Sequence, residues 1–66
     1  MYRITYTTKS GLVATYNQNG KWSLYEREKA ELYETEMAAK AIVSTWIAVQ
    51  MTPEALERVN VEQIGN

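Results

Sequence analysis

The chain has 66 residues, a formal charge of -1 and a hydrophobic fraction of 45%, with no Cys and no His. Those absences exclude a disulfide framework, a thiolate nucleophile, any Ser-His-Asp or Cys-His catalytic set, and the usual ligands of zinc, haem and iron–sulfur centres. All eight acids are Glu, so no calcium loop of the D-x-D-x-D-G kind can form. A single domain over 1–66 is expected, because domains below roughly 50 residues are rare. A chain this short buries only about 60% of its unfolded surface and commonly leans on a staple. Without Cys or His, a partner is the staple left, either a second copy or a foreign protein.

No run of about 18 apolar residues exists, so no membrane span is expected. Met1-Tyr2-Arg3-Ile4-Thr5 lacks the apolar core of a signal peptide, which points to the cytoplasm, or a host's cytoplasm. The charges are unevenly placed. Residues 1–25 carry Arg3, Lys9 and Lys21 without an acid, whereas all eight Glu lie in 26–66 beside Arg27, Lys29, Lys40 and Arg58.

The first elements read as strands. Tyr2, Ile4 and Tyr6 alternate with Arg3, Thr5 and Thr7, and β-branched and aromatic residues suit a half-buried pleat. Lys9-Ser10-Gly11 suits a short hairpin loop, with Gly11 free to take a positive φ. Leu12 to Tyr16 is the return strand. Asn19-Gly20 predicts a type I′ hairpin turn, and Lys21 to Tyr25 opens a third strand, giving a meander over 2–26. Residues 26–34 read two ways. A turn at Arg27–Lys29 could lead into a fourth strand, Ala30 to Glu34, or the segment could extend the helix that follows.

Thr35 and Glu36 supply an N-cap hydroxyl and a first-turn carboxylate, so a helix is expected from Glu36 to Met51. Ala38, Ala41, Ile42, Thr45, Trp46 and Val49 follow helical spacing and are read as its core-facing stripe. Thr52-Pro53 ends it and can begin a new turn. Val59 and Val61 mark a final short strand within Arg58 to Ile64. The fold class expected is therefore α+β: an antiparallel meander of three to four strands on one principal helix, with a short C-terminal strand. Ile4, Tyr6, Val13 (or Leu12), Leu24, Ile42, Trp46 and Val49 are the expected core.

The helix carries a second apolar row, Ala39, Val43 and Ile47, with Met37 and Met51 beside it. One layer of sheet covers one side of a helix, so this row is read as surplus and turned toward a partner. The protein-binding residues assigned are Met37, Lys40, Val43, Ile47 and Met51 on the helix, with Trp22 and Tyr25 on the sheet. Catalysis is not expected: Ser10, Ser23 and Ser44 have no His to act as base, and no phosphate-cradling Gly loop exists. No cofactor or metal is expected either.

The function read from these features is a non-catalytic protein–protein interaction module, a small inhibitor or modulator. In size and style it resembles the anti-host or anti-defence inhibitors of phages and mobile elements, and no residue carries that resemblance. Two alternatives stand beside it. One is a homodimer with paired helices and Ala39, Val43 and Ile47 as the seam. The other is a single-stranded nucleic-acid module using a Tyr/Trp/Lys sheet face, disfavoured by three basic residues and a negative net charge.

Overall fold

A computed structural model of the chain describes residues 1–24 and 29–65. Its architecture is α+β. Strands β1 (Tyr2–Thr7), β2 (Val13–Tyr16), β3 (Trp22–Ser23) and β4 (Val59–Gln63) form one antiparallel sheet in the order β3-β2-β1-β4. The C-terminal strand thus pairs with the first one. β1 aligns Ile4 with Val61 and Tyr6 with Val59, so the alternation of both strands places their apolar residues on one face.

The two hairpin loops share one construction. Thr8 N–H donates to Leu12 O at 2.7 Å, Gly11 N–H donates to Thr8 O at 3.0 Å, and Gly11 sits at φ 90°. In the second loop Asn17 N–H donates to Lys21 O at 2.9 Å, Gly20 N–H donates to Asn17 O at 3.0 Å, and Gly20 sits at φ 74°. Asn19 is not at positive φ, so the expected type I′ turn is replaced by a three-residue loop closed by a left-handed glycine. Asn17 Oδ1 accepts from both Asn19 N–H and Lys21 N–H, which fixes the loop from within and accounts for the longer form.

β3 is shorter than expected, ending at Ser23, with Leu24 exposed. Tyr25 to Glu28, which take in the end of the expected third strand and the start of the expected turn at Arg27–Lys29, lie outside the described residues. From Ala30 to Tyr33 the chain is neither helix nor a strand hydrogen-bonded beside β3. Tyr33 exchanges both backbone bonds with Tyr2, at 2.7 and 2.8 Å. Glu31 N–H donates to Tyr16 O at 3.0 Å, and Gln18 N–H donates to Lys29 O at 3.1 Å. β1 and β2 pair only from Thr5–Thr7 to Val13–Thr15, so residues 29–33 fill the gap where the two strands part. The splayed backbone would otherwise leave its polar groups unpaired, which the inserted segment prevents.

Thr35 Oγ1 accepts from Ala38 N–H at 3.0 Å and starts the helix α1 (Glu36–Ile42), as its sequence indicated. Glu36 and Lys40 form an exposed ion pair one turn apart. The helix then widens into a π turn over Val43–Ile47, where Ala48 N–H reaches Val43 O, and tightens to a 3-10 turn over Ala48–Gln50. Ser44 Oγ and Thr45 Oγ1 both donate to Ala41 O, at 3.2 and 2.6 Å. Such back-bonding competes for a helix carbonyl and deforms the helix locally. Met51 is extended, Thr52 caps the next turn through Ala55 N–H, and α2 (Pro53–Leu56) leads into β4.

The widened turn decides which helix row meets the sheet. In a uniform α-helix a step of four residues drifts by about 40°, so Ala39, Val43 and Ile47 would wind out of line. A π turn holds more residues and reverses that drift. Ala39 and Ile47 are accordingly buried, at 0% and 1% exposure, in a cluster with Ile4 and Tyr16, and Ile42, Val43 and Met51 pack against it. The stripe expected in the core lies largely outside: Trp46 is 59% and Val49 77% exposed, and Ala38, Ala41 and Thr45 are exposed too. Val13 is exposed because Ala14 and Tyr16 are the β2 residues on the face of Ile4 and Tyr6, and Leu12, which precedes the strand, is exposed as well.

Ile47→Ala is expected to cost about 2–5 kcal/mol, as buried aliphatic truncations do, while Val49→Ala stays within about 0.5 kcal/mol. Urea denaturation of both variants checks the order; a larger loss at Val49 would return the expected stripe to the core.

Candidate functional site

The residues assigned to binding from sequence do not form one surface. Met37 is 80% exposed on the first turn of α1, and Lys40 is exposed and paired with Glu36. Ile47 is buried, and Val43 and Met51 pack on the core, so these three are structural. Trp22 is half-buried, its ring 5.7 Å from that of Tyr6 and edge-on to Tyr16 at 5.2 Å. Tyr25 lies outside the described residues.

Of the row expected as the seam of a helix-paired dimer, Ala39 and Ile47 are buried and Val43 packs against the core. Tyr2, Tyr16 and Trp22 point toward the helix as part of the core layer. Arg3 projects from the opposite face, where it donates to Glu62 at 2.9 Å.

The residues that do converge surround an open cleft of about 530 Å³. One wall is the β2–β3 loop from Asn17 to Gly20, the second is the inserted segment with Glu31 and Tyr33, and the third is the helix, through Ile42 and Trp46. Each wall is set by features already described. The loop is held by Asn17. Glu31 is fixed by its backbone bond to Tyr16, and Tyr33 by its paired bonds to Tyr2. Trp46 is carried outward by the π turn.

Tyr16, Tyr33 and Trp46 give this cleft three aromatic side chains. The Tyr16 hydroxyl lies beneath the loop, where a Cβ on Gly20 would meet it at 3.6 Å. Among the described residues lining the cleft, Glu31 is the one charged side chain. Burial, the Glu31 carboxylate and Tyr16, in that order, raise the Tyr33 pKa above the ordinary value of 10.0. Tyr33 therefore remains a neutral phenol at physiological pH, able to donate a hydrogen bond. Among the described residues no group of three potential metal ligands comes together, and no helix is long and apolar enough to cross a membrane.

The sequence reading missed Tyr16, Glu31, Tyr33 and Trp46 as a group. Tyr16 and Trp46 were assigned by their spacing to strand and core, and the insertion of residues 29–33 between β1 and β2 has no periodic signature. A signal for the displaced Trp46 did exist: Ser44-Thr45 in mid-helix, within a stretch rich in β-branched residues.

Comparison with protein-family models, with curated proteins and with solved structures returns no match.

A phenol whose folded pKa is raised stabilises the fold below pH 10.0, and that contribution is lost as pH rises through the folded value. Ultraviolet titration, with the Tyr33 transition isolated as the difference from Tyr33→Phe, should place it above 10.0. Glu31→Gln should move the same transition down. A transition at or below the ordinary value, unmoved by Glu31→Gln, would contradict this placement of the two side chains.

Proposed function

We propose that the chain is a non-catalytic binding module that docks on another protein through the outer face of its helix. The observation that carries this reading is the exposure of Met37, Trp46 and Val49 on a helix whose inner row is already filled by the sheet. Apolar area left over after a core is complete favours association. Trp is the residue most suited to anchor it, offering a large rigid surface that loses little entropy on binding.

A foreign partner is favoured over a second copy by charge. A two-fold pair brings one patch against its own copy. The cleft beside Trp46 presents Glu31 with no basic side chain among its described lining residues, so a second copy that places the same cleft opposite it adds another carboxylate. A partner carrying basic and apolar groups satisfies both. The action in this reading is occupancy: covering a surface of the partner inhibits or modulates it, and no bond in the partner is made or broken.

A photo-crosslinking residue at position 49 tests the reading, with the fold checked by circular dichroism. The expected product is a heterologous crosslink, competed away by excess wild-type chain but not by Val49→Glu or Met37→Glu, both of which leave stability within about 0.5 kcal/mol. A crosslink only to a second copy, or competition by the Glu variants equal to wild type, contradicts it.

A further inference from the structure

We infer that the cleft between the β2–β3 loop, residues 29–33 and the helix is a binding site for an alkylammonium or guanidinium group, the side-chain head of Lys or Arg on a partner protein. The inference deepens the proposed docking function and rests on it for the source of the cation; the binding chemistry belongs to the cleft alone.

Three observations point to this ligand. First, Tyr16, Tyr33 and Trp46 come from three separate parts of the chain and line one cavity of about 530 Å³, large enough for a side-chain head, with Trp46 exposed, Tyr33 half-buried and Tyr16 buried in its floor, so that Trp46 and Tyr33 are the rings a cation can reach. Aromatic faces attract cations through their quadrupole, by about 0.5–2 kcal/mol according to solvent exclusion. Second, Glu31 is in the same cavity, and no basic side chain among the described lining residues neutralises it. A carboxylate placed among rings supplies the charge-assisted hydrogen bond that rings lack. Third, the site is built from fixed parts. Glu31 and Tyr33 are held by backbone bonds of 2.7–3.0 Å to β2 and β1, and the loop is closed by Asn17 Oδ1, so little ordering remains to be done on binding.

The composition also disfavours the ligands that aromatic clefts otherwise take. A nucleotide would bring its phosphate toward Glu31, against the field of the cleft. A purely apolar side chain would leave the carboxylate desolvated and unpaired.

The test uses the isolated chain and small probes. ¹H–¹⁵N NMR follows the Glu31 and Tyr33 amides and the Trp46 indole N–H during titration with n-butylammonium and n-propylguanidinium, with n-butanol as the neutral control and oligo-dT as the nucleic-acid control. Saturable shifts confined to these residues are expected for both cations and not for butanol or oligo-dT. Glu31→Gln should weaken binding about fivefold, the worth of a partly exposed ion pair near 1 kcal/mol. Trp46→Ala should weaken it further, and Leu12→Ala, at an exposed residue outside the cleft, should leave it unchanged. Butanol binding as well as the cations, oligo-dT saturating the same residues, an unchanged affinity in Glu31→Gln, or no saturation by either cation overturns the inference. Heterologous crosslinking at position 49 with no cation binding would leave the docking function standing and remove this site; cation binding with no heterologous crosslink would do the reverse.

Discussion

The π turn at Val43–Ile47 is the feature on which the rest of the molecule depends. A helix lying on a single sheet can bury one row of side chains, and that row must stay in line over the length of the contact. Ala39, Val43 and Ile47 stay in line because the drift of the α turn before Val43 is reversed by the wider turn after it. The hydroxyls of Ser44 and Thr45, both directed to the Ala41 carbonyl, accompany that widening at the point where it begins. The cost of an irregular helix is offset by the burial of Ile47 against Ile4 and Tyr16.

Two surfaces follow from that geometry. Trp46 and Val49 are placed outside, although their spacing is that of a core stripe, and they form the outer helix face with Met37. Trp46 also closes one side of the cleft whose other sides are the Asn17–Gly20 loop and the inserted residues 29–33. The insertion matters as much as the helix. By occupying the gap where β1 and β2 separate, it satisfies their backbone groups and holds Glu31 and Tyr33 next to Tyr16. A structural solution to strand divergence thus supplies the polar and aromatic groups of the candidate site.

Much of the fold was legible in the chain. Period-two alternation located β1 and β4, glycines located the hairpin loops, Thr35 and Thr52 located the helix starts, and the α+β class followed from their order. The misreadings share a cause. Periodicity assumes a uniform helix, which favours the row from Ala38 to Val49 over the drifting row Ala39, Val43 and Ile47; a local change in helical pitch reverses that preference. Alternation in β2 likewise left its inner face open between that of Val13 and that of Leu12; pairing of Ala14 with Tyr6 selects the second face, although Leu12 itself lies exposed before the strand. The turn at Asn17–Gly20 was found from Asn19-Gly20 but mistyped, since the Asn17 carboxamide favours a longer loop. The cleft was not legible, because its residues are assembled by tertiary insertion and are distant in sequence.

The most direct measurement is a ¹³C-edited NOESY spectrum of the unmodified chain, read at the methyl groups of Ile47 and Val49. Cross-peaks are expected from Ile47 to Ile4 and to the Tyr16 ring, and none from Val49 to any sheet residue. Cross-peaks from Val49 to β1 or β2, with Ile47 showing none, would mean that the helix is turned the other way. The outer face and the cleft described above would then not exist.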